Sequence, residues 1–375
     1  MKWYKESDLN LKGSFSNEIW IRKSENGFFE CPMDIYLGKK TNLLTLKKDL
    51  IKSIKKQLKE FHESRTKLYN SDSKSDKIYV SNCPVTGIST DDAVPVLNVY
   101  GAEYVQTQET GHVYLKYIPS KKALHNFYLS DVNYAATYTD KENAEFRLNS
   151  IAVPWAEWTI KVYEKKYNKR PDKILDVGSG AGHFVAACRK MGIHADGIEL
   201  SESSRIFAKK MWNLQLNGNN FEDVFQEYEG YDIVTFWGLL EHTPNPSTIL
   251  SLAHKVVSKS QDGGMVIAKL PRWLSLSSAA QRLSPDTIIR HIDPMGHLMI
   301  FTDASAAELF YRNKFKPIAA WYYGMDIYEM LMQIGNSTDD YNPLLKTGDL
   351  QVELQQFLDE NRFSDGLTLV GVPYE

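Results

Sequence analysis

Apolar residues in the second half of the chain fall into short runs separated by stretches at helical spacing. In the run 174–177, Ile174, Leu175 and Val177 surround a single acid, Asp176, as suits a buried parallel strand. Residues 232–236, 264–270, 315–323 and 367–372 read the same way, with shorter runs ending at Ile198 and covering 214–216. Between them, 184–188, 203–212, 248–258 and 301–313 carry a helical period, the last capped by Thr302 or Asp303. Strand alternating with helix predicts an α/β fold built on a doubly wound, mostly parallel sheet. Residues 325–365 interrupt the alternation with one apolar helix, a loop around Pro343 and a second helix over 350–358.

The first half is organised differently. Leu43, Leu46, Leu50, Ile54, Leu58 and Phe61 recur every three or four residues, predicting a long amphipathic helix over 41–68. Lys47, Lys48, Lys52, Lys55, Lys56 and Lys59 make its other face basic. That face is expected to be a solvated surface on a helix packed against the body or a second subunit; a dock for an acidic partner or a membrane surface is the sharper alternative. The polar stretch 70–76 reads as a linker, which divides an N-terminal region, 1–76, from short strands over 77–130, with the clearest hairpin at 102–117. From Lys141 the pattern gives two helices interrupted near Pro154, and 131–167 is rich in aromatics, Tyr134, Tyr138, Trp155 and Trp158 among them.

The turn after the run 174–177 carries glycines at 178, 180 and 182 before the apolar period restarts at Phe184. Strand, glycine-rich turn and helix cradle a nucleotide-like ligand, because the backbone turns sharply and the ligand approaches where a Cβ would stand. A dinucleotide fingerprint needs its third glycine at 183, where the chain has His183. The spacing D-x-G-x-G-x-G resembles motif I of the class I S-adenosylmethionine (SAM)-dependent methyltransferases. Gly197-Ile198-Glu199 and the stretch YDIVTFWGLLEHTPNP over 231–246 fall where that family has its second and fourth strands. The resemblance covers roughly Tyr134 to the C-terminus, sets a methyltransferase domain over 131–375, and implies a Rossmann-like, seven-stranded sheet whose last strand is antiparallel. It places SAM against Asp176, Gly178, Ser179, Gly180 and Gly182. Glu199 would accept from the ribose hydroxyls, Asn220 and Phe221 would lie by the adenine, and Leu200 and Trp237 are further expected cofactor contacts.

Methyl transfer is a displacement at a carbon already activated by its sulfonium, so aligning donor and acceptor supplies much of the rate. A hydroxyl acceptor also needs a base. The candidates are His242, beside Glu241 after the fourth strand, and His291 and His297 in a loop resembling the family's H-x-x-F-[ST] segment. Asp293 and His183 are secondary. The spacing H-x-D-x-x-x-H also suits a metal, but no other anchor accompanies it, and no metal is expected. Cys83-Pro-Val-Thr86-Gly87 and Thr107-Gln-Glu-Thr110-Gly111 are similar to the paired knuckles of the zinc ribbon some sugar methyltransferases carry. Three of four cysteines are replaced by threonine, a poor zinc ligand, so a metal-free ribbon-like subdomain or a chance likeness is expected.

Composition narrows the rest. A net charge of -3 offers no general attraction to nucleic acid, and a D-P-P-Y type of loop is absent after Phe236. Three scattered cysteines and the lack of an apolar membrane-length run suit a reduced, cytoplasmic setting. The tail is similar to methyltransferases found with bacterial surface-polysaccharide enzymes. The expectation is a SAM-dependent methyltransferase acting on a hydroxyl of a sugar or another small polar metabolite. The alternative is a non-catalytic scaffold of the same fold, docking or forming a homo-oligomer through the basic helix.

Overall fold

The computed structural model describes residues 2–5, 17–25, 27–39, 50–70, 76–123, 141–288 and 290–374. The expected beginning of the basic helix, most of the linker, and both Tyr134 and Tyr138 lie outside these residues.

Nine strands form one sheet. They are β1 (Lys2–Lys5), β2 (Asn17–Ser24), β3 (Gly27–Leu37), β9 (Lys173–Val177), β10 (His194–Ile198), β11 (Ile233–Trp237), β12 (Met265–Pro271), β14 (Phe315–Tyr322) and β15 (Gly366–Pro373). The order is β1-β2-β3-β14-β15-β12-β11-β9-β10. Strands β12, β11, β9 and β10 run parallel, and β15 lies antiparallel between β12 and β14. Alternation along the strands feeds two cores. Leu175, Val177, Val234 and Phe236 face one side of the sheet, while Ile174, Ile233 and Ile267 face the other.

Two features differ from the sequence expectation. The run 214–216 forms no ladder: only a bridge between Asn217 and Ile198 marks where a third parallel strand would lie. Two leucines flanking Gln215, next to an asparagine-rich turn, are too few to extend the sheet. At the opposite edge, β1–β3 join the sheet rather than standing apart. β3 runs parallel to β14 from Ala319↔Asp34 to Tyr322↔Leu37, and buries Cys31, Met33 and Ile35 in the main core. The N-terminal region therefore belongs to the large sheet, while the strands from 77 to 119 form smaller sheets.

A smaller sheet has the order β13-β7-β6-β5, formed by β5 (Val94–Val99), β6 (Ala102–Gln106), β7 (Val113–Leu115) and β13 (Met299–Ile300). The two knuckle-like turns close alike: the Gly87 amide donates to the Cys83 carbonyl at 2.9 Å, and the Gly111 amide to the Thr107 carbonyl at 3.0 Å. Burial pushes the Cys83 thiol up, so it stays protonated at neutral pH, and the Thr107 and Thr110 hydroxyls bond each other at 3.2 Å. These groups satisfy one another as threonines.

The helix Leu50–Tyr69 packs its last turns on this sheet. Lys56 and Lys59 stay in solvent, each opposite a glutamate four residues on, while Arg65 is buried.

The insertion forms the helices Asp326–Thr338, Asn342–Thr347 and Leu350–Glu360, so a short helix stands where a loop around Pro343 was expected. It meets the body through a cluster of carboxylates. The Asp326 carboxylate accepts from the Ser277 and Asp365 amides at 2.9 and 2.8 Å, and Asp359 accepts from the Gln355 amide at 2.8 Å. Burial raises Asp326 to about 7 and Asp359 to about 8. Folded-state values above the unfolded ones mean the folded chain binds these protons more tightly, so their stabilisation, complete below the ordinary aspartate range, falls progressively as pH rises and is gone above about 8. Asp359→Asn is expected to raise the Tm at pH 9 more than at pH 6, as read by thermal denaturation at the two values.

Candidate active site

The turn after β9 is built as a cradle. Gly178, Gly180 and Gly182 all take positive φ, at 77°, 53° and 75°. A Cβ on Gly178 would press Leu239 at 3.1 Å and one on Gly182 would meet Leu214 at 3.0 Å, whereas the space beside Gly180 is open. The Ser179 hydroxyl closes the turn by donating to the Asp176 carbonyl at 2.8 Å. One Glu199 oxygen accepts from the Gly180 amide at 2.7 Å and the other from the Ser201 amide at 2.7 Å, leaving acceptor capacity toward the open space. Leu200 is exposed beside it, and Asn220 is exposed at the start of the short helix Phe221–Val224.

Other expected cofactor contacts are placed differently. The Asp176 carboxylate is buried and accepts from the Thr235 hydroxyl at 2.8 Å, and burial raises it to about 7. It ties β9 to β11 beneath the turn. Phe221 is buried in the main core with its ring 6.4 Å from Phe236, so adjacency to Asn220 does not bring it to the open space. Trp237 lies flat on Trp155 at 4.3 Å with 7° between their planes, and its own indole N–H is buried without a partner.

The base candidates separate. Glu241 and His242 lie in the short 3-10 turn Leu240–His242 after β11, next to the cradle through Leu239. His242 Nδ1–H donates to the Gly296 carbonyl at 2.7 Å, and His297 Nδ1–H donates to the His291 carbonyl at 2.5 Å. A carbonyl can only accept, so both neutral rings carry the proton on Nδ1 and leave Nε2 as a lone pair. Both Nε2 atoms lie 3.9 Å from Glu241 Oε1, and the rings stand 5.0 Å apart. Burial first, then the cationic forms of its neighbours, pushes His297 well below the usual histidine range, while burial pushes Glu241 up.

His291 does not join this convergence. It is buried at a φ of 63°, its Nε2 is bonded to the Ser278 hydroxyl at 2.8 Å, and burial lowers it to about 4. Its carbonyl, not its ring, serves the site by fixing His297. His183, expected as a secondary candidate, packs edge-on against Trp212 at the start of the helix His183–Lys190.

The loop that carries His297 is held from outside the large sheet. Arg65 makes two bonds to the Asp293 carboxylate, at 2.9 and 2.8 Å. The Tyr69 hydroxyl donates to the Pro294 carbonyl at 3.0 Å and the Tyr104 hydroxyl to the His297 carbonyl at 3.0 Å. Asp293 is thus an anchor rather than a base. None of these three supports was foreseen, since each depends on a partner far along the chain. Lys269 was also missed, although a lysine inside the apolar run of β12 is a visible anomaly.

Residues 152–320 match the family model of a methyltransferase domain. This stretch carries a methyltransferase domain. SAM is the cofactor of this domain, and the open space beside Gly180 with the free acceptor capacity of Glu199 fits it. A ubiquinone biosynthesis O-methyltransferase of Pseudomonas syringae pv. tomato is 28% identical over 142 residues, covering 35% of this chain and 56% of that protein. One of Acinetobacter baumannii (strain AYE) is 28% identical over 134 residues, covering 33% of this chain and 54% of that protein. The chain thus spans about half the length of these curated relatives. Among solved structures, the plantazolicin methyltransferase BpumL in complex with SAH covers 68% of this chain and 95% of its own, at 18% identity and a TM-score of 0.43. The 1,6-didemethyltoxoflavin-N1-methyltransferase of Burkholderia thailandensis covers 76% and 100%, at 12% identity and a TM-score of 0.42.

Within the methyltransferase domain, Glu199 is the one charged side chain bonded to the cradle's own backbone. Glu199→Ala is expected to weaken binding of S-adenosylhomocysteine (SAH) by roughly 1.5–3 kcal/mol, the worth of hydrogen bonds to a charged group. Calorimetric titration of both proteins measures it.

Proposed function

We propose that the protein is an O-methyltransferase that uses SAM to methylate a hydroxyl of a small polar acceptor. The observation that carries this reading is the pair of Nε2 lone pairs, on His242 and His297, meeting the Glu241 carboxylate beside the cofactor cradle. Bound SAM supplies a methyl group already activated by its sulfonium. The chain's own residues then have two tasks. Gly178, Gly180, Gly182 and Glu199 hold and orient the donor. His297, kept neutral by burial and fixed in one tautomer by the His291 carbonyl, takes the hydroxyl proton on Nε2 as the oxygen attacks. Glu241 lies close enough to stabilise the imidazolium that forms. His242, in the same tautomer on the other side of Glu241, is the alternate acceptor of that proton.

Sugar hydroxyls are the acceptors this reading favours, supported by the likeness of the C-terminal segment to polysaccharide-associated methyltransferases. The relatives named for ubiquinone biosynthesis add hydroxylated precursors of that quinone to the compounds worth testing. The deciding experiment incubates the protein with methyl-labelled SAM and both sets of compounds, and reads label transfer by mass spectrometry. Label appearing on an amine or a carbon, or on no compound with the donor bound, would remove the hydroxyl reading.

The Glu241, His242 and His297 ligand atoms lie within 4.8 Å of one another, a spacing that a divalent cation can also bridge. The proposal takes them as a proton-transfer group without metal. EDTA is therefore expected to leave the transfer rate unchanged, and activity lost to EDTA and restored by Mg²⁺ or Zn²⁺ would reassign the three residues. No helix among the described residues is long and apolar enough to cross a membrane. Cys31, Cys83 and Cys188 are free and buried, in keeping with the reduced, cytoplasmic setting proposed.

A further inference from the structure

Among the described residues, two lysines lie beside the Trp155–Trp237 stack with no carboxylate in ion-pair reach. Lys39 follows β3, and its Nζ lies 5.0 Å from the centre of the Trp155 ring and 5.5 Å from that of Tyr323. Its hydrogen bond, to the Ile151 carbonyl, is a long 3.4 Å. Lys269 reaches the same Tyr323 ring from β12, with Nζ 5.8 Å from its centre. Both side chains lie deep in the molecule yet keep some accessible surface.

The nearby acids are committed elsewhere. Asp365 is bonded to Arg290 at 2.6 Å, Glu329 holds the other edge of the same guanidinium at 2.5 Å, and Glu241 faces the two histidines. Asp365 and Glu241 act on Lys269 only through space, and the nearest charge acting on Lys39 is Lys269 itself. Burial pulls both ammonium groups below the ordinary lysine range, which measures how poorly the protein alone solvates them. The Trp237 Nε1 is buried there without a hydrogen-bond partner, and the Tyr323 hydroxyl lies against Trp155 and Thr368. A buried donor left unpaired is costly, and an indole N–H is of the type that surrounds an oxyanion.

Position separates this space from the cofactor cradle. The cradle follows β9 and β10, at one end of the sheet, whereas Lys39, Tyr323 and Lys269 follow or end β3, β14 and β12 on the other side of Trp237. The geometry points to an anionic acceptor: a carboxylate or phosphate group seats between Lys39 and Lys269, under Tyr323 and Trp155, and presents its hydroxyl toward His297. This rests on the methyltransferase reading and names the substrate class for it.

The test is calorimetry on the full chain saturated with SAH, with inorganic phosphate and benzoate as separate probes. One of the two is expected to bind. Phosphate alone names a phosphoryl acceptor and benzoate alone a carboxylate. Lys269→Met and Lys39→Met are each expected to weaken the bound probe by about tenfold or more, the worth of one charge-assisted hydrogen bond, and to leave SAH affinity unchanged. The two lysines stand on different strands, so misfolding of one variant leaves the other to decide. Neither probe binding to the SAH complex, or undiminished binding in a folded variant, overturns the inference. Weakened SAH instead of weakened probe overturns it too, by assigning the lysines to the cofactor's own carboxylate. Failure of the wild type to bind SAH would overturn the functional reading along with it, whereas SAH binding without probe binding removes only this step.

Discussion

His297→Ala is expected to lower single-turnover methyl transfer by about 10²–10⁴, the usual worth of a positioned base, while SAH binds as before. The separation follows from place: His297 belongs to the loop paired with the small sheet, and the cradle belongs to β9 and β10. The pH profile is the second readout. A base works when unprotonated, and burial holds His297 well below the usual histidine range. The wild-type rate should therefore be flat with respect to this group from pH 6.5 upward, and fall only on acidification well below that value. A rate rising through pH 6.5 would show a solvated histidine instead, and a full rate in His297→Ala would move the base to His242. His291→Ala gives a useful contrast. Its ring is spent on Ser278, so it should lower Tm along with the rate, through a displaced loop rather than a missing base.

Arg65→Ala is expected to destabilise the 288–297 loop by about 3–5 kcal/mol, the cost of breaking a buried ion pair and leaving one charge behind. Arg65 is almost fully buried, and both its bonds to Asp293 are lost together. Hydrogen–deuterium exchange should show the amides around His297 opening, and transfer should fall with SAH affinity unchanged. Arg65→Lys should recover little, because an ammonium cannot reproduce a two-point bond to a carboxylate. Normal exchange and a normal rate in Arg65→Ala would leave the N-terminal helix without influence on the site.

What could be read from the chain alone was local. The glycine turn, Glu199 at the end of β10 and the Thr302 cap, which bonds the Ser305 amide at 3.0 Å, are each written within a few residues. The pairing of β3 with β14, the burial of Phe221 and the spent ring of His291 are not, because each depends on a partner far along the chain. Asn220 and Phe221 show the limit plainly: neighbours in sequence, they face solvent and core. The histidines show it again. Spacing placed His291 and His297 on one loop, but only the carbonyls opposite their rings decide which nitrogen is free.

The bonds that join the two halves also set an order of assembly. Trp321 donates to the Gly38 carbonyl across 283 residues, and Arg65 reaches Asp293 across 228. During synthesis the strand bearing Cys31, Met33 and Ile35 emerges long before β14, so its apolar face must wait uncovered while most of the protein is made. Closing contacts at such separation is slow, and a half-made chain with an open strand edge invites pairing with another copy. Overproduced protein should accordingly gain more soluble yield from slowed translation or a holding chaperone than from any change at the finished surface.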